Sequence, residues 1–129
     1  MLTTPPDLYN RPVPPPFVEL SSATVDIAGV DAELMDYVAK LGQVHMHLFS
    51  KTLVITSARD GNHVQGSAHY RGLAVDLRST DKTEEEQTVF AVIMSYLSPH
   101  RGMGVFDERT VNTGPHWHVE KQGAGSVGS

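Results

Sequence analysis

The chain has no cysteine among its 129 residues, so disulfide staples and thiolate metal sites are both excluded. Any metal bound here has to use His, Asp, Glu or water. Basic residues are scarce too. Ten Lys and Arg stand against fifteen Asp and Glu, for a net charge of −5 and a pI near 5.7. The few cations are scattered rather than clustered, which argues against a phosphate-backbone binder, and no nucleic-acid partner is expected. Apolar runs long enough to span a bilayer are missing. The opening MLTTPPDLYNRPVPPP has no basic cluster followed by an apolar stretch, so no signal peptide is expected. The expectation is cytoplasmic accumulation or association with a virion, with any action outside the cell depending on delivery by something else. No Ser or Cys is placed as a nucleophile beside a base, so no covalent intermediate is expected. The length allows one small domain with a real core and no second one.

What is present divides into three parts. Residues 1–20 hold six of the eight prolines, which forbids regular helix and favours an extended arm tacked down by Tyr9, Val13, Phe17 and Val18. Residues 21–121 form the domain, and 122–129, with linker composition, a flexible tail. Within the domain, Asp31 opens a helix with Leu34, Val38, Leu41, His45 and Leu48 on one face, and Gly42 is expected to loosen its second half. His45 and His47 lie two apart on that helix, so they do not share a face and read as structural. KTLVITS, ending at Ser57, reads as a buried strand. Thr80 and Asp81 are placed to cap a second helix whose first turn carries Glu84, Glu85 and Glu86, where the helix dipole favours carboxylates. Val89, Ile93, Tyr96 and Leu97 are expected to form its buried stripe. RGMGVF then reads as a strand, DERTVNTGP as a loop and HWHVE as the last strand.

The chemistry concentrates in GSAHYRGLAVDLRS, Gly66 to Ser79, and in GPHWHVE. On a strand, side chains alternate, so Val75 and Leu77 face one way while Ala74, Asp76 and Arg78 face the other. An acid in the middle of the apolar run LAVDL has to be paired or metal-bound if it is buried. His69 stands seven residues before Asp76, an odd number, so the chain has to bend at Gly72 for both to converge. In the last strand His116 and His118 share a face. Two imidazoles and a carboxylate from His69, Asp76 and His118 would leave one position of a metal open to water or substrate.

The run Ser67, His69, Gly72, Ala74, Asp76, followed by a His-x-His strand, resembles the D-alanyl-D-alanine carboxypeptidase and dipeptidase family of zinc peptidases. That family includes L-alanyl-D-glutamate endopeptidases of phage lysins and shares its fold with lysostaphin-type enzymes and the hedgehog signalling domain. The likeness spans Ile55 to Glu120, about half the chain, and SAHYRGLAVDLR is especially similar to small phage-type members. It implies an α+β fold, a small antiparallel sheet with helices packed on one face. It also implies a Zn2+ cofactor held by His69, Asp76 and His118, with His116 as the catalytic histidine. Arg59 would lie near the substrate carbonyl and Ser67 on the substrate side. The implied partner is a peptidoglycan stem peptide or another substrate of the D-Ala-D-Ala type.

One departure matters. Many members carry Glu or Asp three residues before the last zinc ligand as general base, and here that position is Pro115. His116 takes the role, or Glu120, Asp107 or Glu108 folds in, or catalysis is lost. Ligation by both His116 and His118 would give a closed, structural site instead. A non-catalytic binding or virion module on the same fold is the alternative function. Non-haem iron oxygenases also use two histidines and a carboxylate, but place His and carboxylate two apart, and the spacing of seven excludes them.

Overall fold

The computed structural model describes residues 12–60, 66–110 and 115–122. The expected Tyr9 anchor and all of the tail beyond Gln122 lie outside them. Five strands form one sheet: β1 (Val18–Leu20), β2 (Leu53–Ser57), β3 (Ala74–Arg78), β4 (Met103–Glu108) and β5 (His116–Lys121). Their order is β1-β2-β3-β5-β4. Two helices join them, α1 (Ala32–Phe49) between β1 and β2, and α2 (Glu84–Leu97) between β3 and β4. The fold is therefore α+β, as expected, but the sheet is mixed rather than antiparallel. β1 runs parallel to β2 while the other three pairings are antiparallel. The parallel pair follows from the α1 crossover, which returns the chain to the same end of the sheet. Val18 to Leu20 thus belong to the sheet edge, whereas Val13 and Phe17 are exposed, and Phe17 is held through its carbonyl, which accepts from the Leu53 N–H at 2.8 Å.

Helix α1 starts at Asp31, whose side chain accepts from the Leu34 N–H, and buries Leu34, Tyr37, Val38 and Leu41. It stays regular through Gly42. A Cβ there would lie 2.7 Å from Val18 Cγ2, so the glycine is a packing device that lets α1 close on β1. Helix α2 is capped by Thr83 rather than by Thr80 or Asp81. The Thr83 side chain accepts from the Glu86 N–H while Glu86 reaches back to the Thr83 N–H. Its buried residues are Phe90 and Met94, whereas Val89 and Tyr96 are 46% and 73% exposed. The helix is turned by about one residue from the expected stripe because the Phe90 ring packs against His45 and Trp117.

Both helices cover the face of the sheet that carries Leu53, Ile55, Val75, Leu77, Met103, Trp117 and Val119, and these residues form one core with them. Strand alternation sends their neighbours to the opposite face. There the cross-strand register sets Asp76 beside His118 and His118 beside Phe106, and in the next row Arg78 beside His116 and His116 beside Glu108. No helix among the described residues is long and apolar enough to cross a membrane.

Candidate metal centre

His69, Asp76 and His118, the three expected ligands, converge as buried side chains. His69 comes from a short 3-10 turn, Ala68–Arg71, that ends at Gly72 with φ +72°. A Cβ at Gly72 would meet the Gly29 carbonyl oxygen at 2.3 Å, so only glycine makes the bend that brings His69 over β3. Ser67 is fully buried, and its hydroxyl accepts from the His69 N–H at 3.2 Å. That hydroxyl caps the turn and helps to position His69.

Three ligand atoms form a nearly equilateral triangle. His69 Nε2 lies 3.2 Å from Asp76 Oδ1, His118 Nδ1 lies 3.1 Å from the same oxygen, and the two nitrogens are 3.1 Å apart. A tetrahedral zinc with ligand distances near 2.0–2.1 Å has edges of about 3.3–3.4 Å, so the triangle matches one face of such a site within a few tenths of an ångström.

The far side of each imidazole fixes which nitrogen faces the centre. His69 Nδ1 lies 2.7 Å from the Ala58 carbonyl, which can only accept, so Nδ1 carries the hydrogen and Nε2 of the neutral ring presents a lone pair. His118 Nε2 lies 2.8 Å from Glu120 Oε1, and the same reasoning leaves Nδ1 bare towards the centre. Both rings are thus held in the tautomer that a metal requires, by outer partners of the kind that orient metal-bound histidines. The Ala58 carbonyl is itself fixed, because Asp60 Oδ1 accepts from the Ala58 and Asp26 N–H groups at 2.9 Å each. Three converging lone pairs repel one another unless a cation or proton lies among them, so the donor set fits a divalent metal. Burial raises the Asp76 carboxyl, but the His118 and His69 rings, which donate to it when a proton and not a metal lies among the three, outweigh burial and hold Asp76 well below the usual carboxylate range. Asp76 therefore enters the site ionised.

His116, beside the triangle, is not part of it. Its Nε2 sits 3.6 Å from Asp76 Oδ2 and 2.9 Å from Glu108 Oε1. Glu108 on β4 thus sets a carboxylate beside His116. DERT reads as loop, yet β4 runs on through Asp107 and Glu108 because both pair with β5. Of the other two acids considered, Glu120 serves His118 and Asp107 binds Arg109 at 2.7 Å. Phe106, 43% exposed, flanks His118 with ring centroids 5.7 Å apart. Arg59 is exposed and donates to the Ala28 carbonyl at 3.1 Å.

A cleft of about 500 Å³ between α2 and β4 lies on the helix side instead, lined by Val92, Met103, Val105 and Trp117. It gathers no converging ligands, so the metal centre is the better candidate for chemistry. His45 and His47 take no part. His45 is buried against Phe49 and Phe90 with Nδ1 on the Lys51 carbonyl, and His47 is exposed. The chain matches no family model, no curated protein and no solved structure.

Proposed function

We propose that this protein is a zinc metallopeptidase that hydrolyses peptide bonds of bacterial peptidoglycan, of the D-Ala-D-Ala carboxypeptidase or L-Ala-D-Glu endopeptidase type. The observation that carries the reading is the triangle of two imidazole nitrogens and one carboxylate oxygen, with His116 alongside and not within it. The sequence likeness of SAHYRGLAVDLR and His-x-His to zinc peptidases of the cell wall supplies the substrate class. An antiparallel core of β2, β3, β5 and β4, with helices on one face and the ligands on the other, agrees with a hedgehog/DD-peptidase fold.

In this reading His69, Asp76 and His118 hold the ion. Zinc in such a site lowers the pKa of a bound water towards about 7 and polarises a peptide carbonyl. Glu108 Oε1, 2.9 Å from His116 Nε2, would hold that ring beside the ion, where His116 would take a proton from the attacking water and return it to the leaving amine. Glu120 and the Ala58 carbonyl prevent the two ligand rings from turning. Phe106 screens one side of His118 from water, and Arg59 supplies positive charge for the substrate carbonyl.

The test is to load the full chain with zinc, incubate it with purified sacculi and with a stem pentapeptide ending in D-Ala-D-Ala, and identify products by mass spectrometry. Cleavage should stop on chelation and return with zinc. Digestion that survives chelation would overturn the reading. Zinc binding without any cleavage would favour a metal-stabilised binding module.

A further inference from the structure

Arg78 is the next residue after Asp76 on the metal-bearing face of β3, and it stands directly across from His116 on β5. Its backbone is pinned, because buried Lys82 donates to the Arg78 carbonyl at 2.8 Å. The guanidinium is different. Arg78 as a residue is partly buried, and among the described residues no ion pair or hydrogen bond engages its guanidinium. Every other charged group in these two rows is engaged: Asp76 with His69 and His118, and Glu108 with His116. In cross-strand register His116 therefore has the acid Glu108 on one side and the cation Arg78 on the other. A guanidinium presents five N–H donors in a planar fork that matches a carboxylate bidentately.

We infer that Arg78 is a specificity residue that binds a carboxylate of the substrate. This rests on the peptidase reading above and adds where the substrate's charge must lie. Residues two apart on a strand are about 6.6–6.8 Å apart, and an extended peptide advances about 3.3–3.6 Å per residue. A carboxylate on Arg78 thus lies one or two residues from a bond cut at the triangle. The substrate is a short acidic peptide whose free carboxylate, either a chain terminus or the α-carboxylate of a side-chain-linked glutamate, sits next to the scissile bond. Neutral and amidated peptides are bound poorly.

Two measurements on the full chain separate this from the parent reading. The first is equilibrium binding to metal-depleted protein, which needs no turnover, by titration calorimetry with N-acetyl-L-Lys-D-Ala-D-Ala as free acid and as C-terminal carboxamide. A γ-linked D-Glu peptide with its α-carboxylate free or amidated is the second pair, and the pair that discriminates identifies the source of the charge. Wild type should bind the acid of one pair about 10- to 100-fold more tightly than its amide, the range for a charge-assisted bidentate contact. Arg78→Gln should erase that preference and Arg78→Lys should keep part of it. The second measurement is steady-state cleavage by the zinc-loaded protein, where Arg78→Gln should raise KM by a similar factor and leave kcat within about threefold. Equal binding of acid and amide by wild type, or a preference that survives Arg78→Gln, overturns the assignment even if peptides are cleaved. An Arg78-dependent preference without cleavage upholds it and counts against the peptidase instead.

Discussion

Strands β3 and β5 each present two faces built to opposite specifications. Towards the helices, Val75, Leu77, Trp117 and Val119 are buried in the apolar core, and the cations of Lys82 and Arg109 lie over the Trp117 ring at 5.5 and 5.3 Å. Towards the other side, Asp76, His116, His118 and Glu120 are buried almost as completely. The apolar face is stabilised by transfer from water, a term that depends on area and not on direction. The polar face gains nothing from burial as such. Every group there has to be matched, atom by atom, with a partner or an ion. A strand two residues wide in pattern thus separates a scaffold that tolerates reshaping from a site that does not.

The largest effect should come from the scaffold side. Trp117→Ala removes the largest fully buried side chain and should cost about 3–5 kcal/mol of stability in urea unfolding. A loss below about 1 kcal/mol would mean that the helices do not depend on this face. Gly72→Ala tests the polar side. Forcing a Cβ into the left-handed bend against the Gly29 carbonyl should cost about 2–4 kcal/mol and move His69 away from its partners. Stoichiometric zinc uptake by a folded Gly72→Ala protein would show that the bend is not what delivers the ligand. Glu120→Ala leaves all three ligands in place and removes the partner of His118 Nε2. Zinc affinity measured by chelator competition should weaken about 10- to 100-fold, with Glu120→Gln intermediate. Unchanged affinity would mean that the outer hydrogen bond does not set the tautomer.

The two faces were not equally legible in the sequence. The convergence of His69, Asp76 and His118 could be read because each carries a local signature: an acid inside LAVDL, a glycine where the chain has to bend, and two histidines two apart in a strand. Glu120 could be placed behind His118 by the same alternation. Glu108 could not be singled out, because DERT has loop composition and is drawn into β4 only by pairing with β5, a tertiary effect that overrides local propensity. The face of α2 was ambiguous for a different reason. Val89, Ile93, Tyr96 and Leu97 make as good an apolar stripe as Phe90 and Met94, and the choice falls to the ring contacts of Phe90 with His45 and Trp117. The parallel β1 edge was hidden by its prolines, four of which lie just before Val18.

The smallest expected effect lies where the apolar side carries an imidazole. His45 is fully buried, and burial lowers its pKa from the usual 6.5, only partly offset by its hydrogen bond to the Lys51 carbonyl. The folded protein therefore holds His45 neutral at a pH where the unfolded chain takes up a proton. The unfolded state binds more protons, so stability is full above about pH 6.5 and falls as the pH drops below it. One proton sets the ceiling at about 1.4 kcal/mol per pH unit. Urea unfolding of zinc-loaded wild type and His45→Gln, compared between pH 8 and pH 5.5, isolates this contribution, because the other histidines are common to both. Wild type should lose stability more steeply than the variant below about pH 6.5. Parallel profiles would mean that His45 takes up its proton equally in both states, and that the core beneath β5 admits a charge as readily as the face above it.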